Sequence, residues 1–314
     1  MLKLILSRLL QCVFALLIIS FLVFALLARV GGDAVSSLDT LHSSEETRET
    51  LRRLDGLDRP LMERYWNWVA RAARGDLGHS IILHVPVWSV IRRRLLRTGV
   101  LAAVALLIAW SVSLSLGIAA ARRAGSWPNI LDRLCSLIIL LAASTPRLVL
   151  ALLALALLAS TPLFSVFGPA TESSAGVLSL RVIPPAIILA VPLVALFLSQ
   201  TRATISEALN EEYVYAARAR GAPEWIVLLR HALRPASGSL ITTFGFSLGE
   251  VMSGSVVVEA VMGWPGLGQL GVEAVGTRDI PLLLGVTLVA SAAVMAGSLV
   301  ADVLQRLNNP LLRQ

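Results

Sequence analysis

TGVLAAVALLIAWSVSLSLGIAAA, from Thr98 to Ala121, runs for 24 residues without one charged side chain. A helix needs about 20 apolar residues to cross about 30 Å of hydrocarbon. This stretch is therefore read as a membrane span rather than a buried helix of a soluble core. Five other predominantly apolar runs approach or exceed that length, all but one of them carrying one or two charged residues: Leu9–Val30, Leu134–Ser160, Val182–Gln200, Ser237–Ala260 and Pro281–Leu304. Pro146 and Pro192 fall inside two of them; membrane helices tolerate proline where neighbours satisfy the freed carbonyl. The expected fold is an all-α membrane protein of about six transmembrane helices.

Composition agrees. The chain is 56% hydrophobic and 15% charged, with a mean hydropathy of +0.77, whereas soluble domains carry about 25% charged residues. The net charge of +7 reflects arginines clustered beside apolar runs, so it speaks for membrane orientation and not for nucleic acid. Cys12 and Cys135 are widely separated in or beside apolar runs, which leaves no disulfide framework or zinc spacing. The first run is too long for a signal-peptide core and lacks a small-residue cleavage site, so it is read as a retained span.

Short-loop arginines set the orientation. Lys3 and Arg8 precede the first run, Arg122, Arg123 and Arg133 lie between the second and third, and Arg202, Arg218, Arg220, Arg230 and Arg234 between the fourth and fifth. Arg306 and Arg313 follow the sixth. These alternate segments, and both termini, are expected in the cytoplasm. The segment 31–97 is then external, too long for its own arginines to count. In it Ser43 and Glu46 fit a capping box, Gly56 ends that helix, Pro60 opens another carrying Tyr65, Trp66 and Trp68, and Val87–Leu96 reads as an interfacial helix. The expected organisation is an N-terminal helix over 1–30, the external segment 31–97, and a five-helix core over 98–314 that includes the cytoplasmic loop 201–236.

Inventory excludes most chemistry. His42, His79, His84 and His231 all lie outside the spans, and Asp302 is the only aspartate within one. An intramembrane serine or aspartyl protease therefore lacks its groups, and no metal site is expected. Lys3 is the only lysine, so no phosphate-cradling loop with its Lys-Ser/Thr pair exists. No nucleotide or other cofactor is expected on this chain. A self-contained secondary transporter would show more paired ionisable groups at mid-membrane.

The loop before the fifth run reads EYVYAARARG (Glu212–Gly221) and then APEWIVLLRHALR (Ala222–Arg234). It is a helix, a glycine stop and a second helix, with Gly221 suited to the left-handed terminal position and Pro223 to a first helical turn. Glu224 sits at the positive end of the second helix and Arg230, His231 and Arg234 near its negative end. Ala216, Ala217 and Ala219 keep the surface low enough for a close partner. The plain alternative is an amphipathic hairpin lying on the bilayer.

Ala216-Ala217 followed three residues later by Gly221 resembles the "EAA" loop of ABC importer permeases, with Tyr215 at the position of the name-giving Glu. Tyr213, Ala217–Gly221 and Arg230–Arg234 are similar to the dipeptide/oligopeptide/nickel branch. So are Gly254–Glu259, Trp264–Gly268, Arg278–Pro281, Gly56–Leu61 and Gly75–Ser80, an ordered series along nearly the whole chain. Departures are Pro235 for a usual Asn, Ser239 for Pro, Ser298 for Asn and Asn309 for Asp.

The resemblance implies a subunit of the bacterial inner membrane that moves peptides or a related small solute, with nickel or another metal chelate as the alternative. It implies a second permease chain, usually different, an external binding protein, and separate ATPase subunits that hold ATP and Mg. Tyr213, Ala216, Ala217, Arg218, Gly221, Glu224, Arg230, His231 and Arg234 would form the ATPase-coupling loop. Within the spans, Glu250 beside Gly245-x3-Gly249 must face protein or water. It reads either as a pathway carboxylate or as a hydrogen bond across the permease dimer. Glu259, Trp264, Pro265, Arg278 and Asp279 are assigned to the external mouth or gate, and Arg147 to snorkelling or pairing.

Overall fold

The computed structural model describes residues 2–30, 60–122, 130–161 and 180–308. Among these the chain is helical apart from turns and one isolated antiparallel bridge, His79 to Pro86. In chain order the helices are α1 (Leu2–Val30), α2 (Leu61–Ala72), α3 (Val87–Arg122), α4 (Ile130–Ser144), α5 (Arg147–Ala159), α6 (Ile183–Leu209), α7 (Glu212–Ala219), α8 (Glu224–Ile226), α9 (Arg234–Met262), α10 (Leu267–Gly276) and α11 (Ile280–Asn308). Val227–Leu233, between α8 and α9, is π-helical. The capping box Ser43/Glu46, Gly56 and Asn309 lie outside the described residues.

Among the described residues four helical stretches are long and apolar enough to cross a membrane: Val87–Ala121, Ile183–Leu209, Glu224–Met262 and Ile280–Gln305. The pair α4 and α5 passes the same test together but bends by 99°. Pro146 is the cause. It stands as the N-cap of α5 at φ −61°, ψ 140°, because it has no N–H to continue α4 and pushes Thr145 out of the helical region. The expected unbroken third span is thus two half-helices. Pro192, by contrast, sits inside α6 without ending it.

Two other expectations shift. Val87–Leu96 is not a separate interfacial helix: no breaker stands between it and the span, and α3 runs through. The second loop helix likewise has no end before the fifth run. From Glu224 to Met262 the chain is one helical stretch of 39 residues, its π turns ending where Pro235 sits in the first turn of α9. A proline ring crowds the carbonyl four residues back, that of His231, and a locally wider helix accommodates such a conflict.

The chain divides into two compact units. The first comprises 1–98 and 265–293. In it Tyr65 of α2 donates its hydroxyl to the Leu17 carbonyl of α1 at 2.8 Å and meets Ser20 at 3.0 Å. Phe21 and Phe24 pack edge-on to its ring. Gly285 clears the way for Val87: a Cβ there would lie 2.6 Å from Val87 Cγ1.

The second unit comprises 99–264 and 294–314. Its core is built of Leu101, Ala105, Leu189, Leu193 and Phe197 with Val251 and Val258. Trp110 packs edge-on to both Phe197 and Phe244. Small residues let helices approach closely, as membrane packing requires when lipid supplies no hydrophobic drive. Gly245-x3-Gly249 of α9 does this against α11 of the same chain. A Cβ on Gly245 would fall 2.6 Å from Ala301 Cα, and one on Gly297 3.2 Å from the Gly249 nitrogen. Ser298, one of the departures, packs over Gly249.

Gly245→Val should therefore destabilise the protein by about 1–3 kcal/mol through overpacking. A lowered thermal-unfolding midpoint in detergent is the expected readout; an unmoved midpoint would mean that α9 and α11 do not meet there.

Candidate functional site

The loop residues assemble as helix, turn and helix. α7 ends in a left-handed cap: Gly221 takes φ +82°, its N–H bonds the Arg218 carbonyl at 2.9 Å, and the Ala222 N–H reaches the Ala217 carbonyl at 3.2 Å. This is the paired hydrogen-bond pattern that ends helices at a glycine. Across the turn the Arg218 guanidinium clasps both oxygens of Glu224, at 2.9 and 3.4 Å. Both side chains are exposed, so the clasp contributes at most about 1 kcal/mol. It fixes the angle between α7 and the helix that follows.

Val214, Val227, Leu228 and Ala232 bury the inner face of the loop against Ile205, Ala208 and Leu209 of α6. Ala217 is also buried, so the low outer surface comes from Ala216 and Ala219 instead. Tyr213, Tyr215, Trp225, Arg230 and Arg234 stand exposed, and His231 is half-buried. Partial burial, and then the nearby Glu211 carboxylate, push the Tyr213 hydroxyl above its ordinary pKa. It therefore stays neutral at physiological pH and acts as a hydrogen-bonding aromatic.

Inside the spans Arg147 and Glu250 form an ion pair, Nη2 to Oε1. Arg147 is the first residue of α5, directly after the Pro146 break, and its guanidinium lies over Gly254, where a Cβ would come 2.6 Å from Nη1. The sequence suggests snorkelling or pairing for Arg147, and for Glu250 either a pathway carboxylate or a hydrogen bond across the permease dimer; it does not suggest that the two meet. Glu259 and Trp264 are fully or nearly buried, at 0% and 2% exposure, with the Trp264 backbone N–H bonded to the Glu259 carbonyl at 3.0 Å. In this structure both are buried, Trp264 within the core of the second unit.

In the first unit two of the matched stretches meet. Ser80 donates to Asp279 Oδ2 at 2.5 Å, and the Ile82 N–H points at the same oxygen from 3.3 Å. Asp279 Oδ1 caps α11 by accepting the Leu282 N–H at 3.1 Å. Arg278 precedes it at φ +54° and closes α10 with a left-handed cap, its N–H on the Val275 carbonyl and the Asp279 N–H on that of Ala274. Pro265 is buried just before α10. Among the described residues no three His, Cys, Asp or Glu side chains gather to hold a metal.

Residues 113–314 match the model of the binding-protein-dependent transport system inner membrane component, and residues 1–102 match the N-terminal model of the same transport system. The chain belongs to this family of importer permeases. A relative from Brucella ovis named as a peptide permease is 34% identical over 320 residues, covering 100% of this chain and 99% of its own. The glutathione transport system permease protein of Escherichia coli K12 is 32% identical over 313 residues with the same coverage. The importer permease is thus a multi-pass inner-membrane transport subunit of an ABC system, not an enzyme.

In this permease Asp279 is the hub of the first unit's turn. Asp279→Ala should leave Ser80 and the Leu282 N–H unmatched, at about 1–3 kcal/mol, read as a lower unfolding midpoint. Arg278→Gly should act oppositely, since a non-glycine residue in left-handed geometry costs about 1–2 kcal/mol. A fall in midpoint for Arg278→Gly would show that the side chain makes a contact worth more than the strain.

Proposed function

We propose that this chain is one of two membrane-spanning subunits of an ATP-driven importer for di- or oligopeptides. The observation that carries the reading is end-to-end similarity to relatives named for peptide and for glutathione, itself a tripeptide. In this reading six spans cross the membrane: α1, α3, the bent pair α4–α5, α6, the helix from Glu224 to Met262, and α11. Both termini lie in the cytoplasm, and a second permease chain, usually different, completes the path. Two ATPase subunits bind ATP and Mg, and an external binding protein delivers the solute.

The loop geometry supports a lever. α7 presents Tyr213, Ala216 and Arg218 to the ATPase, and the Gly221 turn passes displacement to Glu224. From there one helical stretch leads to Glu250, about 40 Å away at 1.5 Å per residue. A short helix seated in a partner's groove, rigidly joined to a span, can switch that span between two states. Pro265, Arg278 and Asp279 would hold the geometry of the external side.

The test is reconstitution with the ATPase subunits, the second permease and the binding protein in vesicles. ATP-dependent accumulation of trialanine or glutathione is expected; uptake without any ATPase would overturn the reading. Gly221→Asp should insert normally yet weaken ATPase association by about tenfold. The space at Gly221 is open, but an aspartate strains the φ +82° turn that sets the helix angle. Wild-type ATPase retention in a pull-down would count against the coupling role.

A further inference from the structure

We infer that the Arg147–Glu250 pair is the place within the spans where the permease meets the two charged ends of an unmodified peptide. The inference rests on the peptide-importer reading above. Three observations carry it.

First, the pair is joined at one point only, Nη2 to Oε1. Among the described residues Arg147 Nε is buried without a hydrogen-bond partner, and Nη1 and Glu250 Oε2 have none. A guanidinium has five N–H donors and a carboxylate about four lone-pair sites, so both halves keep unused capacity on an otherwise apolar surface. Bidentate pairing would have satisfied more of it. Second, the pair is open. Its side chains are 24% and 42% exposed, on a face of α9 that also shows Phe246, Ser253 and Val257. A lone charge turned toward hydrocarbon at this depth costs about 2.5–3.5 kcal/mol, so the face belongs against protein or water. Third, space is kept for it. Gly254 stands where any side chain would strike the guanidinium, and the bend at Pro146 ends the α4 backbone just before Arg147.

A neutralised pair with spare donors on one side and spare acceptors on the other is matched by a ligand with the complementary pair. The carboxylate of a peptide takes the Nη N–H groups of Arg147 that are not spent on Glu250, and its ammonium takes Glu250. The solute's charges are thereby exchanged for the protein's own, with no isolated charge left in the span at any point. A solute lacking either end leaves half the pair unmatched, and unmatched buried polar groups give strong rejection.

The experiment uses the complete importer in vesicles, with Cys12 and Cys135 replaced by Ala and Ser253→Cys introduced as a reporter. A charged thiol reagent is applied with and without trialanine delivered by the binding protein, and with S-methylglutathione, which has no free thiol, in parallel. Labelling of residue 253 should be slowed by the delivered peptide in the otherwise native pair. That protection should vanish in Glu250→Gln and Arg147→Gln, and Arg147→Lys should restore part of it. Glu250→Gln should also cut peptide uptake by about tenfold while ATP hydrolysis stimulated by the loaded binding protein persists.

Protection that survives Glu250→Gln overturns the inference and leaves the pair a structural latch. A residue 253 that never labels assigns this face to the second permease chain and also overturns it. Wild-type vesicles that accumulate neither peptide with ATP would instead remove the peptide-importer reading itself, so the two failures are distinguishable.

Discussion

A backbone amide in hydrocarbon has no water to turn to, and each one left unbonded costs several kcal/mol. Nearly every feature of this permease follows from that constraint. It turns the long apolar runs into uninterrupted helices, and it allows a break only where the freed groups find other partners or the chain needs one. Between α4 and α5 the break falls at Pro146, which removes its own amide donor. Between α8 and α9 the chain does not break at Pro235 but widens into π turns. The same residue type yields a corner in one place and a continuous helix in the other.

Close packing answers the second half of the constraint. Lipid tails are as apolar as leucine, so helices associate through shape, and glycine supplies the shape. Gly245, Gly249 and Gly297 let α9 and α11 touch along their backbones. Gly117 does the same for α3 and α6, where a Cβ would lie 2.7 Å from Thr201 Cγ2. Polar side chains are then settled within single units: Gln200 on Ser239 at 2.6 Å, Arg202 on Asp132 at 2.9 Å, Asp279 on Ser80.

Much of this was legible in the sequence. Apolar runs of span length located the long helices α3, α6, α9 and α11, because period and length are properties of one segment. Gly221 announced its own left-handed turn for the same reason, and so did Pro60 at the start of α2. What was not legible depended on partners far along the chain. Nothing in Arg278–Pro281 says that its aspartate will meet Ser80, 199 positions away. Nothing local says that Arg147 will reach Glu250 rather than the headgroups; the pair becomes visible only once α5 lies on α9. Nor does anything local say that Glu259 and Trp264 will be buried; a polar or aromatic residue near the end of a span reads as an exposed one.

The π segment between the coupling turn and the spanning helix has a kinematic consequence. Val227–Leu233 holds more residues per turn than the α-helix on either side of it. If those turns tightened to α geometry, everything beyond Leu233 would rotate about the helix axis by the angle of the surplus residue, about 100°, and advance by about 1.5 Å. The helical stretch joining the loop to Glu250 therefore has the geometry to turn as well as to slide. In that geometry a rotation of the stretch would change the direction in which the Glu250 carboxylate points.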